Sequence, residues 1–166
     1  SSTIGYNNTA TNENASAFGY GNTAGGLASS AFGFSNTASG DNANAFGYNN
    51  IASGSKSNVF GTGNTVSGSS STAVGTANEA AAENSTAIGN NNTISSGAEN
   101  SAALGNNISI SLKDSVALGN NSTATAINSV TGNSSYTKWA GVSDVVGVVS
   151  VGSSGATRQI QNVAAG

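Results

Sequence analysis

A short unit made of a small residue, a large apolar residue and glycine returns nine times along this 166-residue chain. Thr3-Ile4-Gly5 opens the series, and Ala17-Phe18-Gly19, Ala31-Phe32-Gly33, Ala45-Phe46-Gly47 and Val59-Phe60-Gly61 follow. Ala73-Val74-Gly75, Ala87-Ile88-Gly89, Ala103-Leu104-Gly105 and Ala117-Leu118-Gly119 complete it. Successive glycines lie 14 residues apart, except Gly89 and Gly105, which lie 16 apart. Two further columns keep the register. Three residues after the glycine comes Asn8, Asn22, Asn36, Asn50, Asn64, Asn78 or Asn92; two residues later comes an apolar position, from Ala10 and Ala24 to Ile110 and Ala124. Such a period is too short for a helical hairpin. It fits two strands of about five residues joined by two tight turns, one coil of a β-solenoid. The two extra residues within Ser95–Asn100 fall in a variable polar stretch, where a loop tolerates them.

Strand alternation assigns the faces. In Ala43-Asn44-Ala45-Phe46-Gly47, positions 43, 45 and 47 share one face and are all small, while Asn44 and Phe46 share the other. A two-strand coil is narrow, so the small face is predicted to fill it. Phe18, Phe32, Phe46, Phe60, Val74, Ile88, Leu104 and Leu118 then stack outside as an apolar ladder. With parallel strands about 4.8 Å apart, that ladder runs roughly 38 Å. A stripe of this size is too large to leave in water, so the column is expected to be buried by other subunits.

Composition closes off several classes. Only 7% of residues are charged and 6% are aromatic, which without the repeat would describe a disordered segment. Four basic residues, Lys56, Lys113, Lys138 and Arg158, are scattered in a chain of net charge −3, so nucleic acid is not an expected partner. Without His or Cys there is no imidazole base, thiol or Cys-type zinc site, and no cofactor is expected. No run of about 18 apolar residues is present. The repeat starts at once and no signal peptide precedes it, so the chain is read as a fragment or a mature segment.

The closest copies of the unit, Asp114-Ser115-Val116-Ala117-Leu118-Gly119, Asn84-Ser85-Thr86-Ala87-Ile88-Gly89 and Asn100-Ser101-Ala102-Ala103-Leu104-Gly105, resemble the head repeat of YadA-like trimeric autotransporter adhesins over roughly residues 1–128. Val148-Val149-Ser150-Val151-Gly152, followed by Arg158-Gln159-Ile160-Gln161-Asn162-Val163, is similar to that family's neck, with Arg158, Gln159, Ile160, Asn162 and Val163 as its characteristic positions. The resemblance implies an all-β, left-handed parallel β-roll with 14-residue coils, a homotrimer, and display on a Gram-negative outer membrane. It implies a non-catalytic adhesin whose ligand is an extracellular matrix protein, a host cell or an abiotic surface. Membrane contact would run only through a C-terminal anchor lying beyond this sequence. Three segments are expected: head repeats over 1–128, an insertion over 129–147 and a neck over 148–166.

Several columns invite a functional reading. The residue after each glycine is aromatic in the first four coils, Tyr6, Tyr20, Phe34 and Tyr48, then Thr62, Thr76, Asn90, Asn106 and Asn120. It is either an adhesive stripe, since Tyr gives contact area at little rotamer entropy, or a stacking ladder. The asparagine column is expected to hold left-handed turns and to hydrogen-bond along the ladder rather than to bind sugar. Thr9, Thr23, Thr37, Thr65, Thr93 and Thr123 align as in ice-binding solenoids, but Ile51, Glu79 and Ser109 break the array. Glu79, Glu83 and Glu99 raise a carbohydrate-active enzyme or a calcium site, against a solvated acidic patch. Gly19-Tyr20-Gly21-Asn22-Thr23-Ala24 and Ser135-Tyr136-Thr137-Lys138 match dinucleotide-binding and Ser-x-x-Lys motifs by spacing alone. Trp139 is assigned to a subunit interface, and Arg158 to an intersubunit hydrogen bond or ion pair.

Overall fold

The computed structural model describes residues 1–127 and 145–162. The repeat becomes a solenoid of two parallel sheets: among the described residues, one has ten strands and the other nine, and no helix is present. Each coil gives one strand to each sheet, so sequence neighbours never pair and every partner lies one coil away. The register is strict. Phe18 pairs with Phe32, Phe32 with Phe46 and Phe46 with Phe60, and the column continues through Val74, Ile88, Leu104 and Leu118. The 16-residue coil keeps this register, because the strand Thr86–Asn90 pairs with Ala102–Asn106 and the extra residues sit in the turn before it.

The two strands of a coil are unequal, not the pair of about five residues that the period predicts. The glycine-bearing strand has five residues, as in Asn44–Tyr48, but its partner has two, as in Ile51–Ala52. The reason lies in the corners. Each coil has two left-handed residues, such as Asn49 (φ 54°) and Lys56 (φ 60°), which turn the chain sharply and shorten the second strand. The same φ values correct the reading of the asparagine column. The left-handed residue is the one before it, in the series Asn7, Gly21, Ser35, Asn49, Gly63, Ala77, Asn91, Asn107 and Asn121.

The interior is small, as the alternation predicts. In one coil the buried positions are Ala43, Ala45, Asn50, Ala52 and Gly54. Larger groups enter toward the C-terminal coils, where Ile94, Ile108 and Ile110 are the largest buried side chains. Gly47 departs from the alternation. Alternation puts it on the inner face, yet it is exposed. Its φ of +124° flips the peptide, and a Cβ there would run into the Gly61 carbonyl oxygen of the next coil. Alternation holds only while every residue is extended with negative φ, and this column does not comply.

After the last described head residues, Val149–Ser150 supplies the tenth strand of that sheet, pairing with Val116 and Ala117. Residues expected to begin the neck therefore start as an extra strand on the roll. The segment 128–144, with Trp139 and most of the expected insertion, lies outside the described residues, as does Val163.

Two substitutions test this interior and its corners. Ala45→Leu forces three extra carbons into a fully enclosed seat and should destabilise the chain by about 1–3 kcal/mol or more in thermal melts. Ala77→Asn, at φ 53°, should stabilise it by about 1 kcal/mol by relieving a left-handed alanine.

Candidate functional site

The first five coils carry two columns of aromatic rings on the glycine-bearing sheet, one in coils two to five and the other in coils one to four. Phe18, Phe32, Phe46 and Phe60 stack with centroids 4.7, 4.9 and 5.2 Å apart and interplanar angles of at most 10°. Tyr6, Tyr20, Phe34 and Tyr48 stack at 5.4, 4.9 and 5.3 Å. These spacings come from the strand separation, which the register transfers to every equivalent side chain. Rings in such a stack cover each other's faces, so the surface presents edges and tyrosine hydroxyls.

The columns differ in exposure. Phe18, Phe32 and Phe46 are half-buried, whereas Tyr6, Tyr20, Phe34 and Tyr48 are 44–68% exposed. Beyond Phe46 the ladder opens again, with Phe60, Val74, Ile88, Leu104 and Leu118 at 36–42% exposed. The stripe therefore faces outward along the whole roll, and it is doubled by a second aromatic stack only in the first four coils.

Beneath it lies an arrangement that sequence reasoning reached only in part: the asparagines bond along the ladder as expected, but from inside the roll rather than at its corners. Asn22, Asn36, Asn50, Asn64, Asn78 and Asn92 are fully or almost fully enclosed in the roll. Asn36 Nδ2 donates to the Gly47 carbonyl of the next coil at 2.7 Å, to Phe32 O at 2.9 Å and to Asn22 Oδ1 at 3.0 Å. Its own Oδ1 accepts from the backbone N–H and the Nδ2 of Asn50. The flipped glycine carbonyl of each coil from Gly19 to Gly105 is thus held by an asparagine of the coil before, and the side-chain amides form a continuous chain from Asn8 to Asn78. The signal was available: the position before the asparagine varies among Asn, Gly, Ser and Ala, while the asparagine itself does not vary through Asn92.

The series ends at Ile108, which is buried and has no amide. One coil later the glycine-bearing strand shrinks to Val116–Leu118, and Gly119 falls outside it. Arg158 takes over there. Its guanidinium lies over Gly119 and donates to Asn120 O, to Val151 O at 2.9 Å and to Ser122 Oγ at 3.2 Å. Within this chain it therefore caps the end of the roll. Of the other candidate neck positions, Ile160 is 70% exposed, Gln159 and Asn162 are exposed, and Asn162 has φ 61°. A cavity of about 760 Å³ opens beside this cap, lined in part by Ile127, Val145, Val149 and Arg158.

The remaining candidates do not converge. The threonine column lies on the outer face of the two-residue strands, broken by Ile51 and Glu79, as its sequence shows. Glu79 is on one of those strands, whereas Glu83 and Glu99 follow one another at a corner, where the Asn100 N–H donates to Glu83 O at 3.1 Å. Among the described residues no three acidic groups gather into a metal-binding cluster. Gly19–Ala24 spans two strands and a corner with no helix to receive a phosphate. Ser135–Lys138 lies outside the described residues.

Comparison with known proteins agrees with the repeat. The chain matches the family model described as YadA head domain repeat over residues 4–22, 24–50, 67–92 and 113–130, together more than half its length. No curated protein matches it.

The two aromatic columns make separable predictions. Phe46 stacks on two rings and Tyr48 on one, and each such contact contributes about 0.5–1.5 kcal/mol beyond buried area. Phe46→Ala should therefore lower the melting temperature more than Tyr48→Ala. The opposite order would reverse the roles given to the columns.

Proposed function

The chain belongs to the YadA head domain repeat family, a family of adhesin heads rather than of enzymes, and from that premise we propose that it is the head of a trimeric surface adhesin that attaches bacteria by non-catalytic binding. The observation that carries this reading is the doubled aromatic stripe, exposed on a stiff roll. The roll is the family's left-handed form. Three copies pack through the column from Phe18 to Leu118, with Trp139 assigned to the same interface. The column of Tyr6, Tyr20, Phe34 and Tyr48 is the contact surface for ligand. Residues 148–166 act as the neck, with Arg158, Gln159, Ile160, Asn162 and Val163 joining head to stalk. The ligand is a matrix protein, a host-cell surface or an abiotic surface, and the head is displayed beyond a Gram-negative outer membrane.

The physical support is the mismatch between the stripe and water. A ladder of large apolar side chains, each still more than one-third exposed from Phe60 onward, makes a patch that a lone soluble chain rarely leaves open. Packing it against two equivalent ladders satisfies all three at once, since the strand repeat gives each the same spacing.

Light scattering on the 166-residue chain should report three copies per particle; a stable folded monomer at micromolar concentration would sink the assembly. If the Phe column is covered by partners, Phe46→Ala removes three rings at one level, each costing about 3–5 kcal/mol when fully buried. The double variant Tyr20→Ala/Tyr48→Ala should keep the trimer and lose attachment in a screen against matrix proteins, glycans and coated surfaces. Retention of binding by that variant would remove the tyrosine column from the ligand site.

A further inference from the structure

We infer that Asn8, Asn22 and Asn36 are positioning residues for the exposed aromatic column, acting through the flipped peptide that precedes each ring in the next coil. Nothing in the repeat unit itself assigns them this role. It rests on the proposed ligand surface only for its biological meaning, because its geometry stands alone.

The connection is one peptide long. The Gly47 carbonyl belongs to the same planar unit as the Tyr48 N–H, so whatever holds that carbonyl orients the backbone entering Tyr48. Asn36 Nδ2 holds it at 2.7 Å. Asn22 holds the Gly33 carbonyl before Phe34, and Asn8 holds the Gly19 carbonyl before Tyr20, both at 2.7 Å. Each glycine has φ between +117° and +124°, a conformation that depends on the absence of a Cβ. Glycine permits this peptide orientation, and from the second coil on the buried amide holds it. The amide is in turn fixed at its far end by the asparagine of the preceding or following coil, so the ring column inherits its alignment from an interior chain of hydrogen bonds.

The roll contains its own comparison. Where the column is Ile108 there is no side-chain amide for the Gly119 carbonyl. There the glycine moves to φ 91° and the strand stops at Leu118, although the Gly119 and Asn121 N–H groups still donate to Leu104 O and Asn106 O at 2.8 Å. The neighbourhood of Gly119 is organised by Arg158 instead. In the seven coils that carry the asparagine, from Asn8 to Asn92, the glycine of the next coil stays in the strand. From Gly19 to Gly105 the amide and the in-strand flipped glycine occur together, and both are lost at Gly119; Gly5, at φ 111° in the first strand, has no preceding coil to supply an amide.

The test compares the same substitution at two levels of the intact chain. Asn36→Leu keeps the branching of the side chain and removes its donors and acceptor. Asn64→Leu does the same one peptide before Thr76, where there is no ring to align. Both should lower the melting temperature by similar amounts. Only Asn36→Leu should weaken the near-ultraviolet circular dichroism of the stacked tyrosines, with the far-ultraviolet β signal unchanged. If Asn36→Leu fails to fold, Asn36→Ser serves, since Ser122 occupies this column in the last coil. An unchanged tyrosine signal in the folded Asn36 variant, or an equal loss in Asn64→Leu, overturns the inference. Neither readout involves ligand, so its failure is distinct from failure of the adhesive reading.

Discussion

A coil that encloses only about five small side chains gains little from burying them. Each methyl removed from water is worth about 0.8 kcal/mol, while each ordered residue costs about 1–2 kcal/mol of backbone entropy. Cohesion therefore rests on the hydrogen bonds that run along the axis between coils, and on anything that makes those bonds uniform. The main-chain pattern supplies most of them: the Thr37 N–H donates to Asn50 O at 2.8 Å, and its counterparts one coil earlier and later, Thr23 and Ile51, donate at the same distance. The glycine carbonyl is the point where this pattern would fail, because its peptide is flipped. The interior asparagine closes that gap, and its Oδ1 also accepts the next coil's N–H. Unmet, those buried groups would cost about 1–3 kcal/mol each in every coil.

That requirement shapes the outside as well as the inside. Once coils are locked at a common spacing, any residue type repeated at one position becomes a ladder, and large side chains stack whether or not stacking is useful. The aromatic columns are thus partly a by-product of register. What is not dictated by register is their limited extent. Phe gives way to Val after Phe60 and Tyr to Thr after Tyr48, although the backbone continues unchanged. The interior changes in the opposite sense, from Ala38 and Ala52 to Ile94 and Ile110. Bulk is thus carried outside in the early coils and inside in the late ones.

Most of this architecture was legible from spacing. The 14-residue period gave the coil, and alternation around Ala43, Ala45 and Phe46 gave the faces, because both follow from strand geometry alone. The errors cluster at positive φ. Counting by twos puts Gly47 inside because it assumes an extended backbone, and tolerance of left-handed φ puts the asparagines at the corners. In the structure the corner falls one residue earlier, on Asn49 or Ala77, and the asparagine side chain turns inward. Composition could not separate these positions, since both are rich in asparagine. Only the difference between a column that varies and one that does not could do so.

The C-terminal end shows the same logic from the other side. A solenoid exposes unpaired backbone groups wherever stacking stops, and an open edge invites another chain to add to it. Here stacking stops in two stages. Val149–Ser150 covers the Val116–Ala117 part of the last coil, and Arg158 covers the part beyond Leu118. A guanidinium suits that place because it brings several donors in one plane to carbonyl and hydroxyl acceptors that no following strand engages among the described residues. It also lies where a further coil's glycine carbonyl would sit, as that carbonyl does above every earlier glycine from Gly5 to Gly89. Arg158 therefore takes, with a single side chain, the place over Gly119 that the next coil's backbone takes over the earlier glycines.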